Sequence, residues 1–412
     1  ENQPDADVQT DSSLPSSLIE EDGEESGESE LAGYSAGMVV GNATTGQGYA
    51  SLGEAIAKAG DGDVIMLLDN VVLDTRIAWT NKTLTVTSAG EAVYTISRGA
   101  ANTNMLFYVR SGAGLVLKNI VLEGNSVQGQ SLVVADSGNV SVVVGQGSVL
   151  QNNVANHGGG VFINGNANGP SSLVIEGNAV IRNNTVADKG GAVLAMMRHP
   201  GDSVVLRDNV QILDNAAAYG GGLFVRRITD IEGTSLAMGG NVLISGNTAT
   251  RGGCGIYFGN AEGTASWPVS FTLGDNVQVV KNSADATDSS GGGGVYFNGS
   301  HPSDNFTLAG SAVIADNTTA KNGGGIYFNA RLGGGNVRLA GGTLSGNNAT
   351  ENGGGLFFRP LVDSAYVGAV SLSGTSVLSN GAASGGGLYL HLGKDFANAG
   401  AVFGMSGGAL SG

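Results

Sequence analysis

The chain has 412 residues, 71 of them glycine, with 6% aromatic and 13% charged residues and a formal net charge of −16. A glycine-rich, charge-poor composition argues against a globular enzyme and for a stacked, turn-rich β structure, while glycines that cluster in runs exclude a collagen helix. The acidic balance supplies no basic stripe for a nucleic-acid partner, and without a run of 18 apolar residues this segment is not expected to insert into a membrane.

Residues 1–33 are acidic and Ser-rich, lack Lys and Arg, and carry few large apolar groups, so they are expected to form a disordered acidic spacer. At Tyr34 the pattern changes. Met38-Val39-Val40 reads as a strand, and Ser51-Leu52-Gly53-Glu54 matches a capping box opening a short helix through Ala59, with Leu52, Ile56 and Ala59 on one face. An exposed coil end leaves unpaired backbone and apolar core in water, so residues 34–63 are expected to be an N-terminal cap.

Residues 64–412 are expected to form the solenoid itself. Apolar runs at Val64–Leu68, Thr83–Thr87, Leu106–Val109, Leu115–Leu122, Leu132–Val134 and Val140–Val144 give about four early coils. Beyond Leu150 the repeat is explicit, anchored by three small residues and an aliphatic. Gly158-Gly159-Gly160-Val161, Gly190-Gly191-Ala192-Val193, Gly220-Gly221-Gly222-Leu223 and Gly253-Cys254-Gly255-Ile256 are the first four anchors; Gly292, Gly323, Gly353 and Gly385 open the others. Successive anchors lie 30 to 39 residues apart. Ahead of them stand Asn153, Asn184, Asn215, Asn247, Asn317, Asn348 and Asn380, with Asn282 displaced by the insertion Asp285–Ser290, and a short strand such as Gln211-Ile212-Leu213 precedes each asparagine. One coil is therefore expected to hold a strand after the glycines, a variable loop, and one or two further strands. Gly407–Gly412 repeats Gly341–Gly346, so the natural chain is expected to continue and this solenoid to be truncated at its C-terminal end.

The first anchor position is glycine in all eight copies, whereas the second admits Cys254 and the third Ala192. This difference predicts positive φ at the first position and crowding between stacked corners at the others. Cys254 reads as a small filler. The asparagines are expected to form a side-chain amide ladder. Parallel crossovers favour one hand, which makes the expected fold all-β: a right-handed parallel β-helix of about 12 coils with a short N-terminal capping helix.

Alternation in the strand after the glycines buries the first and third residues and turns the middle one outward. That middle residue is Phe162, Leu194, Phe224, Tyr257, Tyr296, Tyr327, Phe357 or Tyr389. An outward apolar column of this length implies either a cover, such as the loops Asn164–Ser171 and Ile228–Thr234, or a ligand; its seven aromatic residues are the candidate binding residues, suited to stacking on sugar faces.

These residues resemble the right-handed β-helix proteins of the pectin-lyase-like superfamily, and within it bacterial surface adhesins. Gly190-Gly191-Ala192-Val193 is similar to the GGA[ILV] repeat of polymorphic outer-membrane proteins, although the companion FxxN motif is not kept. Many proteins of the superfamily cleave polysaccharides, but the polygalacturonase-type signatures NTD, DD, GHG and RIK are absent. Arg226-Arg227, with Asp230 and Glu232, reads as a solvated cluster, and His157, His199, His301 and His391 fall at unrelated repeat positions. No calcium-binding GGxGxDxUx repeat and no regular threonine array occurs. The expectation is a non-enzymatic, secreted surface adhesin or stalk without cofactor or metal, whose partner is a host or matrix glycan or surface protein. A polysaccharide lyase or glycoside hydrolase is the alternative, and no oligomeric state follows.

Overall fold

The computed structural model describes residues 34–261, 265–284, 291–330, 335–360, 368–391 and 403–412. The expected acidic spacer and the insertion Asp285–Ser290 lie outside the described residues. The rest is a parallel β-solenoid whose coil has four strands, as in Val161–Asn164, Ser171–Ile175, Val180–Arg182 and Thr185–Lys189. We call the first the corner strand, because it follows the glycine triplet. Corner strands stack into an eleven-stranded sheet, and the third and fourth strands into sheets of twelve and eight. Second strands form one sheet of nine, two of them in the cap, and another of five beginning at Ser270–Leu273.

Stacking is parallel and in register. Val161, Val193, Leu223, Ile256, Val295, Ile326, Leu356 and Leu388 are successive partners in the corner sheet. Alternation turns these aliphatics and the residues two further on into the bore, where a single apolar core runs from Val40 to Val377. Each coil thus offers its core only to its neighbours above and below.

Within the coils two features differ from the sequence expectation. The run Leu115–Leu122 is two strands, Gly114–Lys118 and Ile120–Glu123, broken at Asn119, where φ is +47° and the amide donates to Ala92 O at 2.9 Å. Asparagine adopts a left-handed corner more readily than most residues, and here its side chain ties the corner to the preceding coil. The fourth strand was also unexpected: Thr185–Lys189 buries Val186 but carries mostly small or polar residues, and its pairing is a backbone matter.

At the N-terminal end the sheet is closed by a hairpin and a helix. Val40–Asn42, starting two residues later than the pattern suggests, pairs antiparallel with both Gln47–Tyr49 and Val64–Leu67. The helix Leu52–Lys58 opens as its capping box predicts, Ser51 Oγ accepting from Glu54 N at 3.2 Å. Its Leu52, Ala55 and Ile56 complete the core, and Lys82 Nζ donates to Ile56 O and Ala59 O, both at 2.7 Å, satisfying carbonyls the helix end would leave bare.

Candidate functional site

The outer face of the corner sheet is the candidate site, and glycine shapes it. At all eight anchors the first glycine has φ between +52° and +82°. The bend folds the chain back onto the column residue four positions later: a methyl carbon on Gly220 would lie 2.8 Å from Phe224 Cβ, and one on Gly253 would lie 2.9 Å from Tyr257 Cβ. Backbone conformation and close approach therefore both demand glycine there. At the second position the crowding yields once, where Cys254 lies buried with Ala249 and Ala284; burial pushes its thiol up, away from the reactive thiolate.

Behind the corner runs the asparagine ladder, with one member reassigned. Asn153, Asn184, Asn215, Asn247, Asn282, Asn317, Asn347 and Asn380 are buried in succession. Each backbone N–H from Asn153 to Asn347 donates to the side-chain oxygen of the next asparagine at 3.0–3.1 Å, and from Asn184 onward the side-chain amides add a second bond at 2.9–3.0 Å. Asn282 is in register, so the insertion after it does not displace it. Asn348, expected in the row, is exposed in the fourth strand while its neighbour Asn347 takes the place; the Asn-Asn pair made the two indistinguishable by spacing.

The seven candidate aromatic residues and Leu194 occupy one row, each paired with the next, and the row extends backward through Val134, Tyr108 and Ala78. Six rings form a continuous stack. Centroids are 4.3 Å apart for Phe224–Tyr257, 4.9 Å for Tyr257–Tyr296, 5.0 Å for Tyr296–Tyr327, 4.9 Å for Tyr327–Phe357 and 5.4 Å for Phe357–Tyr389. The column faces away from the bore, as alternation requires, yet it is no open groove: Phe224, Tyr296, Tyr327 and Phe357 are only 2%, 7%, 3% and 4% exposed. Flanking contacts come from residues just ahead of the corner glycines, with Lys189 Nζ 6.0 Å from the Phe224 ring and Tyr219 edge-on to Tyr257 at 6.2 Å. Phe162, Tyr257 and Tyr389 remain half-exposed.

Two members of the row between Tyr108 and Tyr389 carry no ring: Leu194, which is fully buried, and Val134. Between Tyr108 and Phe162 the column residue is Val134, and over it opens a cavity of about 320 Å³. Its rim is polar, with Gln130, Ser131 and His157 on one side and Asp136 and Asn164 on the other. Asp136 is held in place: it accepts from Tyr108 OH at 3.0 Å, Asn164 Nδ2 at 3.2 Å and Ser137 N at 2.6 Å. Burial, and then the neighbouring Asp136, raise the Tyr108 phenol above its ordinary value. This coil lacks the glycine corner; Gln130-Ser131-Leu132 stand where others have three small residues, which puts side chains on the rim.

Two sequence readings elsewhere are corrected. Arg227 is buried, not solvated: its guanidinium donates to Ile231 O and Trp267 O and lies 3.7 Å from Asp230, tying loops together. His199 and His301 occupy matching turns, because each sits in His-Pro-x-Asp, donates its backbone N–H to the Asp202 or Asp304 carboxylate at 2.8 Å, and accepts at Nδ1 from the residue two further on at 3.0 Å. Both turns are structural. Among the described residues no group of three or more His, Cys, Asp or Glu could hold a metal ion, and no helix is long and apolar enough to cross a membrane. Comparison of the chain with protein-family models, with curated proteins and with solved structures finds no match.

Proposed function

We propose that the chain is a non-enzymatic rod displayed outside the cell, an adhesin or stalk that binds a host or matrix glycan or surface protein through the outer face of its corner sheet. The observation that carries this reading is the aromatic column: rings held in register along the solenoid, stacked on one another, and partly open at Phe162, Tyr257 and Tyr389 and around Val134. Ordered aromatic faces beside fixed polar groups suit recognition with little ordering cost. The glycine repeat's resemblance to surface β-helix proteins of the pectin-lyase-like superfamily supports the same role and an extracellular location.

Polysaccharide processing is the second reading, favoured by Asp136 and His157 lining one cavity. The two are separated by probing an array of glycans and matrix proteins with the folded chain and then assaying bound polysaccharides for cleavage. Binding without products is the expected outcome. Cleavage products would replace the adhesin by an enzyme, and no binding to any glycan or protein would remove both.

A further inference from the structure

We propose that the gap over Val134 is a subsite for one pyranose residue of β-gluco configuration, within a longer glycan chain, sandwiched between Tyr108 and Phe162. The inference deepens the glycan-binding reading and rests on it. Elsewhere on this face rings in successive coils stack at 4.3–5.4 Å, as in Phe224–Tyr257, Tyr257–Tyr296 and Phe357–Tyr389. Tyr108 and Phe162 are two coils apart, roughly 9.6 Å at a strand spacing of ~4.8 Å, and the residue between them has no ring. A ring-sized guest at the Val134 step would meet both walls at the distance at which the column's own rings meet one another.

The rim decides what kind of ring. An arene offers nothing to Asp136, Asn164, Ser131 or Gln130, whereas a sugar presents hydroxyl groups around its edge. Asp136 has about four acceptor positions and spends three on Tyr108 OH, Asn164 Nδ2 and Ser137 N, so a position remains for a donor from a guest. Two-sided stacking further requires that both faces of the sugar be clad in C–H bonds. Only an all-equatorial pyranose meets that condition; an axial hydroxyl, as in galactose or mannose, would press an oxygen against one of the two aromatic walls. The rim side chains Gln130 and Ser131 belong to a corner that has given up its glycines, so the slot and its polar edge arise from the same local departure from the repeat.

The probe is cellotetraose, a β-1,4 glucose chain, titrated calorimetrically into the whole chain, with methyl β-D-glucopyranoside and methyl β-D-galactopyranoside as competitors. Cellotetraose is expected to bind once per chain with roughly millimolar or better affinity, and the glucoside to compete at least tenfold better than the galactoside. Val134→Phe fills the slot with a ring of the kind other coils carry, and should weaken binding at least tenfold without lowering the unfolding temperature. Phe162→Leu, which copies Leu194 one coil on, should do the same by removing one wall. Wild-type affinity in both variants, or equal competition by the two glycosides, would overturn the subsite. A chain that binds other glycans of the array but not cellotetraose would overturn the subsite and leave the adhesin reading standing.

Discussion

The guanidinium of Arg98 donates to the side-chain oxygen of Asn153 at 3.1 Å and so closes the first rung of the asparagine ladder. Every later ladder oxygen accepts from the asparagine one coil before; Asn153 has no such neighbour, and a buried cation takes that place. Arg98 also donates to Gln130 O at 2.8 Å, to Asn102 O at 3.1 Å and to Asn104 O. Burial lowers its pKa to about 10, which leaves it charged at neutral pH. Arg98→Met should strand several buried acceptors and cost about 3 kcal/mol in denaturant unfolding, with hydrogen exchange accelerated first in the coils around Asn102, Gln130 and Asn153.

Asn347 and Asn348 provide an internal control for the ladder. Asn347→Ala removes side-chain hydrogen bonds to Asn380 and Ile314 O at 2.9 Å and leaves the Asn317 backbone N–H and one of its side-chain N–H groups without their acceptor, so a loss of about 2–4 kcal/mol is expected. Asn348→Ala, one residue away in an exposed position, should change stability by less than about 0.5 kcal/mol. Equal effects would mean that the ladder is misassigned.

Glycine at the first anchor position can be tested the same way. Gly323 has φ +69° and its Cβ would come within 2.9 Å of Tyr327 Cα, whereas a methyl on Gly274 meets nothing within 4 Å. Gly323→Ala should therefore cost about 2 kcal/mol or more, and Gly274→Ala should stay within about 0.5 kcal/mol of wild type in thermal unfolding.

The Tyr108 hydroxyl gives a pH signature. Its folded pKa is raised, so its contribution to stability is fully present below the ordinary phenol value of about 10 and is lost as pH climbs through the raised value. Asp136→Asn removes a charge that opposes ionisation. In absorbance titration Tyr108, identified by difference from Tyr108→Phe, should ionise at lower pH in that variant than in wild type.

Much of the solenoid was legible because its code is local and repeated. Gly158 and its equivalents announce a backbone conformation, Leu223 and Val225 announce a buried face, and both recur with every coil. What escaped the sequence depends on relations between coils or on backbone pairing alone. The choice of Asn347 over Asn348 is a matter of phase within a doublet, and Thr185–Lys189 is a strand with almost no apolar alternation. Arg98 meets Asn153 across 55 residues, and no pattern predicts that pairing. For the site, the outward column of Phe162 to Tyr389 was readable from alternation. Its cover was not, since Lys189 and Tyr219 reach it from the coil before, and the open slot appears only once Val134 is known to stand between Tyr108 and Phe162.

Spin-label distances along the fourth strands test the stacking itself. Thr185, Ala216, Thr248, Ser283, Thr318 and Asn348 are successive register partners. In a Cys254→Ala background, label pairs at Thr185/Thr318 and Thr185/Asn348 span four and five steps. Backbone separations of roughly 19 and 24 Å are predicted, so that 30 further residues of chain add only about 4.8 Å. Distances that scatter, or that grow with chain length in place of coil number, would contradict the common axis.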